Sequence, residues 1–118
     1  MAIIPVSPVI PLKIETAPVQ VIPGFSLNSG KINVATAGSP IQMHAISSLL
    51  VTVTVKAKHN NTGKILIGNT QVSATTGYEL WANEEVTLNL LDINLIWLDC
   101  SVNGEGVSYI YVSQLAGQ

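Results

Sequence analysis

The ten residues LLVTVTVKAK, Leu49–Lys58, decide the fold. From Val51 onward they alternate strictly: Val51, Val53, Val55 and Ala57 take one side, and Thr52, Thr54, Lys56 and Lys58 take the other. A period of two is the period of a β-strand, whose successive side chains point to opposite faces. Apolar-in, polar-out alternation marks an antiparallel strand with one face covered.

Outward from this strand, NNTGKILIGNT (residues 60–70) reads as turn, strand, turn. Asn60–Gly63 supply turn chemistry and Lys64–Ile67 return as a short strand. The Gly63-Lys64 pair is not a phosphate loop, which needs GxxxxGK followed by Ser or Thr at the head of a helix; here Ile65 follows, within a strand. Thr75-Thr76-Gly77 makes the next turn before YELW (78–81), and residues 82–85 turn into VTLNL (86–90), with Val86, Leu88 and Leu90 on the inner face. LIWLDC (95–100) is apolar on both sides, as in a covered strand, and Trp97 between Ile96 and Leu98 is read as core. Asn103-Gly104-Glu105-Gly106 predicts a hairpin leading into VSYIYV (107–112). Turns at intervals of about 8–12 residues without a helical stripe predict an all-β fold, an antiparallel, jelly-roll-like β-sandwich, over residues 29–118.

Residues 1–28 have another character. All six prolines fall in the first forty residues, at Pro5, Pro8, Pro11, Pro18, Pro23 and Pro40. Each fixes φ and removes a backbone donor, which excludes helix and central strand. The stretch is nonetheless apolar, with Ile3, Ile4, Val6, Val9, Ile10 and Leu12 in its first half. Such a segment is adhesive when exposed, and ordering its backbone costs enough entropy that it orders only where it is covered. The expectation is an extended Pro-rich N-terminal arm, residues 1–28, docked on its own domain, a sister subunit or a larger partner. Ile3, Ile4, Val6, Val9, Ile10 and Leu12 are its interface residues, and Trp81, beside a turn, is a further interface anchor.

Composition supports association. Only 10% of residues are charged, against about 25% in an ordinary soluble domain, so much of this surface is expected to face other protein. Five lysines, no arginine and a net charge of −2 give no clustered basic footprint for nucleic acid. No apolar run approaches the roughly 18 residues that span a bilayer, so no membrane partner is expected. The prolines and the lack of a basic n-region argue against a signal peptide.

Candidate chemistry is sparse. His44 and His59 are the only histidines and have no metal-ligand spacing, so no metal or cofactor is expected. Glu84 and Glu85 are adjacent and point apart on a strand. Cys100 is the single cysteine, read as a small core residue; as nucleophiles, Cys100 and Ser101 would need a histidine base within reach. Asp99 beside covered positions must be hydrogen-bonded or paired, either capping a turn or meeting a lysine across a subunit boundary. Trp81 and Tyr78 leave a carbohydrate-binding platform open. No catalytic residue and no enzyme are expected, because no acid, base, nucleophile and metal set converges.

The segments AKHNNTGKILIG, SATTGYEL, EEVTL and IWLDCSVNGEGVSYIYV, within residues 49–113, resemble a small β-domain of tailed-bacteriophage virion proteins, of the capsid decoration (cement) and head-fibre type. The resemblance implies a non-enzymatic structural role on the capsid exterior after assembly in the bacterial cytoplasm. It further implies a symmetric homo-oligomer, with a trimer favoured, and the major capsid protein as partner. A tail, baseplate or head-fibre component and a carbohydrate-binding adhesion module are the alternatives.

Overall fold

The structure, a computed structural model, describes residues 25–114. Its strands are β1 Phe25–Asn33, β2 Ile41–Gln42, β3 Leu49–Ala57, β4 Ile65–Gly68, β5 Tyr78–Leu80, β6 Glu85–Asp92, β7 Trp97–Cys100 and β8 Gly106–Gln114. A 3-10 turn, Ile93–Leu95, joins β6 to β7, and its cap Asp92 accepts a hydrogen bond from the Asn94 N–H. The strands form two antiparallel four-stranded sheets, a long one ordered β1-β8-β3-β6 and a short one ordered β2-β7-β4-β5. Together they make the β-sandwich expected from the alternating pattern.

The pairing is nested. β1 pairs with β8, β2 with β7, β3 with β6 and β4 with β5, while the pairs β3·β8 and β4·β7 complete the two sheets. Among consecutive strands only β4 and β5 are hydrogen-bonded neighbours. The hairpin expected at Asn103–Gly106 is therefore corrected: the turn exists, but β7 lies in the short sheet and β8 in the long one. Gly104 alone of the turn's central pair has positive φ (85°), whereas a type I′ hairpin needs both residues there. An Asn-Gly step reports a change of direction; it does not specify which strands pair.

The core follows the reading of Leu49–Lys58. Val51, Val53, Val55 and Ala57 are at most 2% exposed and join Ile65, Ile67, Leu98 and Cys100 in one cluster. Val86, Leu88 and Leu90 pack against it from β6. Trp97 departs from expectation and is only partly buried. Strand alternation explains this: Leu98 and Cys100 enter the core, which leaves Trp97 on the opposite face of the short sheet.

β1 begins inside the stretch that the sequence groups with the arm. Phe25–Asn28 pair with Gln114–Tyr111 of β8. FSLNSGKIN shows no clean alternation because β1 is an edge strand exposed along most of its length. Its glycine has a packing reason: a Cβ on Gly30 would fall 2.5 Å from the Tyr109 hydroxyl.

Candidate interaction surface

The outer face of the short sheet is covered by the chain itself. Leu66 and Asp99 are register partners in β4 and β7 and point away from the core, yet they are only 1% and 3% exposed. The connection from Asn69 to Gly77 lies over Leu66 and buries Val72. It approaches so closely that a Cβ on Gly77 would fall 2.6 Å from the Leu66 Cβ. The segment between β1 and β2 reaches Asp99, whose Oδ1 accepts from the Gly38 N–H at 2.8 Å and from the Cys100 N–H at 2.8 Å. Of the two roles open to Asp99, the described residues show the turn-fixing one. A buried carboxylate needs such donors.

The outer face of the long sheet has no such cover among the described residues. Its cross-strand rows follow from the register, and they change character along the strands. Toward the start of β1, Phe25, Leu27, Ile110, Val112 and Leu91 are all at least 37% exposed. Leu50 joins them at the start of β3, with a φ of 54° that a bulky side chain rarely adopts. Leu50 and Leu91 frame a shallow depression with Thr52 and Asn89. The rows that carry Val112 and Ile110 turn polar on β3 and β6: Thr52 Oγ1 donates to Asn89 Oδ1 at 2.7 Å, and Thr54 and Thr87 share a 2.8 Å hydrogen bond. At the far end Lys31, Ser108, Lys56 and Glu85 form one row.

Two carboxylates fix the loops at opposite ends of this sheet. Asp92 accepts from the Ser47 hydroxyl, the Ser48 N–H and the Asn94 N–H. The Ser47 hydrogen bond, reinforced by the two backbone donors against a smaller burial effect, holds its carboxyl below the usual range. At the other end burial pushes the Glu105 carboxyl up. Hydrogen bonds from the Thr62 N–H, the Gly63 N–H and the Thr62 hydroxyl outweigh that, and the net shift is downward. Both are structural anchors for turns.

The remaining expected site residues are dispersed. Ile3, Ile4, Val6, Val9, Ile10 and Leu12 lie outside the described residues. Trp81 is 50% exposed at the connection between β5 and β6, and Tyr78 is 60% exposed. His59 is exposed, whereas His44 sits edge-on to Tyr109 and Tyr111, with ring centroids 6.2 and 5.6 Å away. Cys100 is buried in the core, and burial pushes its thiol up. The Ser101 hydroxyl accepts from the Lys64 N–H. Among the described residues no three His, Cys, Asp or Glu side chains are grouped to hold a metal, and no helix is long and apolar enough to cross a membrane.

The apolar end of the long sheet is the feature that pattern reading missed. The arm bounds of 1–28 take in Phe25 and Leu27, and VSYIYV reads only as the strand after the Asn103–Gly106 turn. The signal was present in that strand. It is apolar on both faces, with Tyr109 and Tyr111 inward and Ile110 and Val112 outward. Comparison with known protein families, with curated proteins and with solved structures finds no match, so the functional reading rests on this surface and on the residues themselves.

Proposed function

We propose that this chain is a non-enzymatic structural virion protein, a decoration or cement protein that binds a tailed-phage capsid as a symmetric oligomer. The observation that carries the reading is the apolar end of the long sheet, left uncovered among the described residues, at the start of β1. An exposed apolar patch of this kind marks a surface that other protein covers. The low charge of the chain points the same way. We read the two four-stranded sheets with nested pairing as jelly-roll-like, an architecture of viral capsid and lectin domains, and this fold-level analogy adds support.

In this reading three copies associate through the apolar end and seat where capsid subunits meet, against the major capsid protein. The arm supplies extended backbone and apolar side chains to a neighbour. β1 is an edge strand and offers main-chain groups for strand addition. The mechanical result is a covered seam.

Native mass of the purified full chain, followed by co-sedimentation with empty heads, tests the proposal. A trimer that sediments with heads is expected; a monomer that does not sediment refutes it. Deleting residues 1–24 keeps β1 intact and is expected to abolish head binding while leaving the circular dichroism spectrum of the sandwich. Gold labelling of intact particles separates a capsid address from a tail, baseplate or head-fibre one. The exposure of Trp81 and Tyr78 favours a carbohydrate-binding adhesion module as second reading. Glycan-array binding that disappears in Trp81→Ala would establish it.

A further inference from the structure

We infer that a polar recess at the end of the long sheet opposite its apolar patch is a binding site for an acidic saccharide, a sugar-sized ligand carrying carboxylate groups. The inference goes beyond the virion reading and stands without it.

The recess has a volume of about 400 Å³, and its walls include Lys31, Lys56, Lys58, His59, Asn60 and Ser108. Sites for small ligands begin at roughly 300 Å³, so the space suits one or two sugar units. Its charge is concentrated by the fold. Four of the chain's lysines lie among the described residues, and three of them line this one recess. The fourth, Lys64, is paired with Glu79. Lys31 and Lys56 reach the recess because both flank Ser108 across the sheet, while Lys58 comes from the end of β3. Their separation in sequence hides the cluster.

Glu105 in the wall, and Glu85 opposite Lys56 across the strands, offset part of this charge and leave lysine in excess. Both oxygens of Glu105 are engaged by the Thr62 and Gly63 donors, which turn its carboxylate toward the loop. The same contacts stiffen the site. The Asn61 amide donates to the Gly106 carbonyl at 2.9 Å, and Lys58 Nζ is held by Asn33 Oδ1 at 2.7 Å. A wall ordered before binding lowers the entropic cost of capture.

The lining also selects the ligand. Asn60 and Ser108 offer both donors and acceptors, which sugar hydroxyls can use; an acidic peptide side chain needs donors only. Lysine acts as a point charge suited to a single carboxylate. The planar arginine fork, which grips carboxylate and phosphate bidentately, is absent from this chain, so the choice between the two anions is left to the comparators of the titration.

The test is calorimetric titration of the purified full chain with tetragalacturonate, with cellotetraose, hexaglutamate and a thymidine hexanucleotide as comparators. Tetragalacturonate is expected to bind, and cellotetraose to bind far more weakly. The Lys56→Gln/Lys58→Gln variant is expected to lose about tenfold or more in affinity, as removal of charge-assisted hydrogen bonds does. Lys64→Gln is expected to bind like the parent, and circular dichroism checks that each variant folds. Absence of tetragalacturonate binding overturns the inference, as does unchanged affinity in the double variant. Equal affinity for cellotetraose, hexaglutamate or the hexanucleotide overturns it too, by assigning the recess to neutral sugars, to an acidic protein surface or to nucleic acid. None of these results depends on capsid binding.

Discussion

The two sheets share one core and treat their other faces in opposite ways. The short sheet turns Leu66 and Asp99 outward, and the chain's own connections close over them until both are buried. The long sheet turns Leu27, Ile110 and Val112 outward and leaves them exposed. The residues themselves do not explain the difference, since aliphatic side chains stand on both outer faces. The distribution of connecting chain does. The segments between β1 and β2 and between β4 and β5 both fall on the short sheet. Among the described residues, a sandwich that spends its loops on one face leaves the other without cover.

The sharpest break of this comparison is a matched pair of truncations. Leu66→Ala removes a buried side chain beneath a loop that approaches too closely to collapse freely. It is expected to cost about 2–5 kcal/mol in urea unfolding of the full chain. Leu27→Ala, on the uncovered face, is expected to change the stability of the isolated subunit by about 0.5 kcal/mol or less. It should instead lower the native mass or weaken head binding. If the two substitutions prove equally destabilising in the subunit itself, the outer faces are not different in kind.

Asp99 provides a smaller effect on the covered face. Asp99→Ala strips the Gly38 N–H of its acceptor and unfastens the segment between β1 and β2. The buried Cys100 N–H loses its acceptor as well, and the expected loss is about 1–3 kcal/mol, the usual range for a buried donor left unsatisfied. Hydrogen exchange at Gly38 should rise in parallel. Unchanged protection there would mean that the segment is held by something other than this carboxylate.

How far the sequence already carried this comparison depends on the range of the interactions involved. Alternation in Val51–Ala57 and the turn residues around Ile65–Ile67 are local, and they placed β3, β4 and the core faces correctly. The pairing partners are non-local. β1 meets β8 from the other end of the chain, and an Asn-Gly turn carries the backbone between sheets without forming a hairpin. Coverage of an outer face is non-local as well, because nothing in the spelling of Leu66 or Leu27 says which loop lies above it. The same holds for the lysine recess, assembled from β1 and β3. Asp99 was the exception: a carboxylate among apolar neighbours announces that it needs donors, whatever supplies them.

The smallest expected effect separates the two ends of the long sheet by pH. Asp92 and Glu105 both have folded-state carboxyls below their ordinary values of 3.8 and 4.5. A depressed folded value contributes stability that is present above the unfolded value and is lost as pH falls through the folded one. The urea midpoint should therefore stay flat down to about pH 5 and decline in more acidic buffer. Glu105→Gln should lower the midpoint at neutral pH and converge on the parent curve in acid, where the parent carboxyl is itself protonated. Asp92→Asn should do the same through a different loop. Both groups are partly solvated, so screening keeps each contribution small. An acid slope that survives both substitutions would place the pH sensitivity in neither of these two carboxylates.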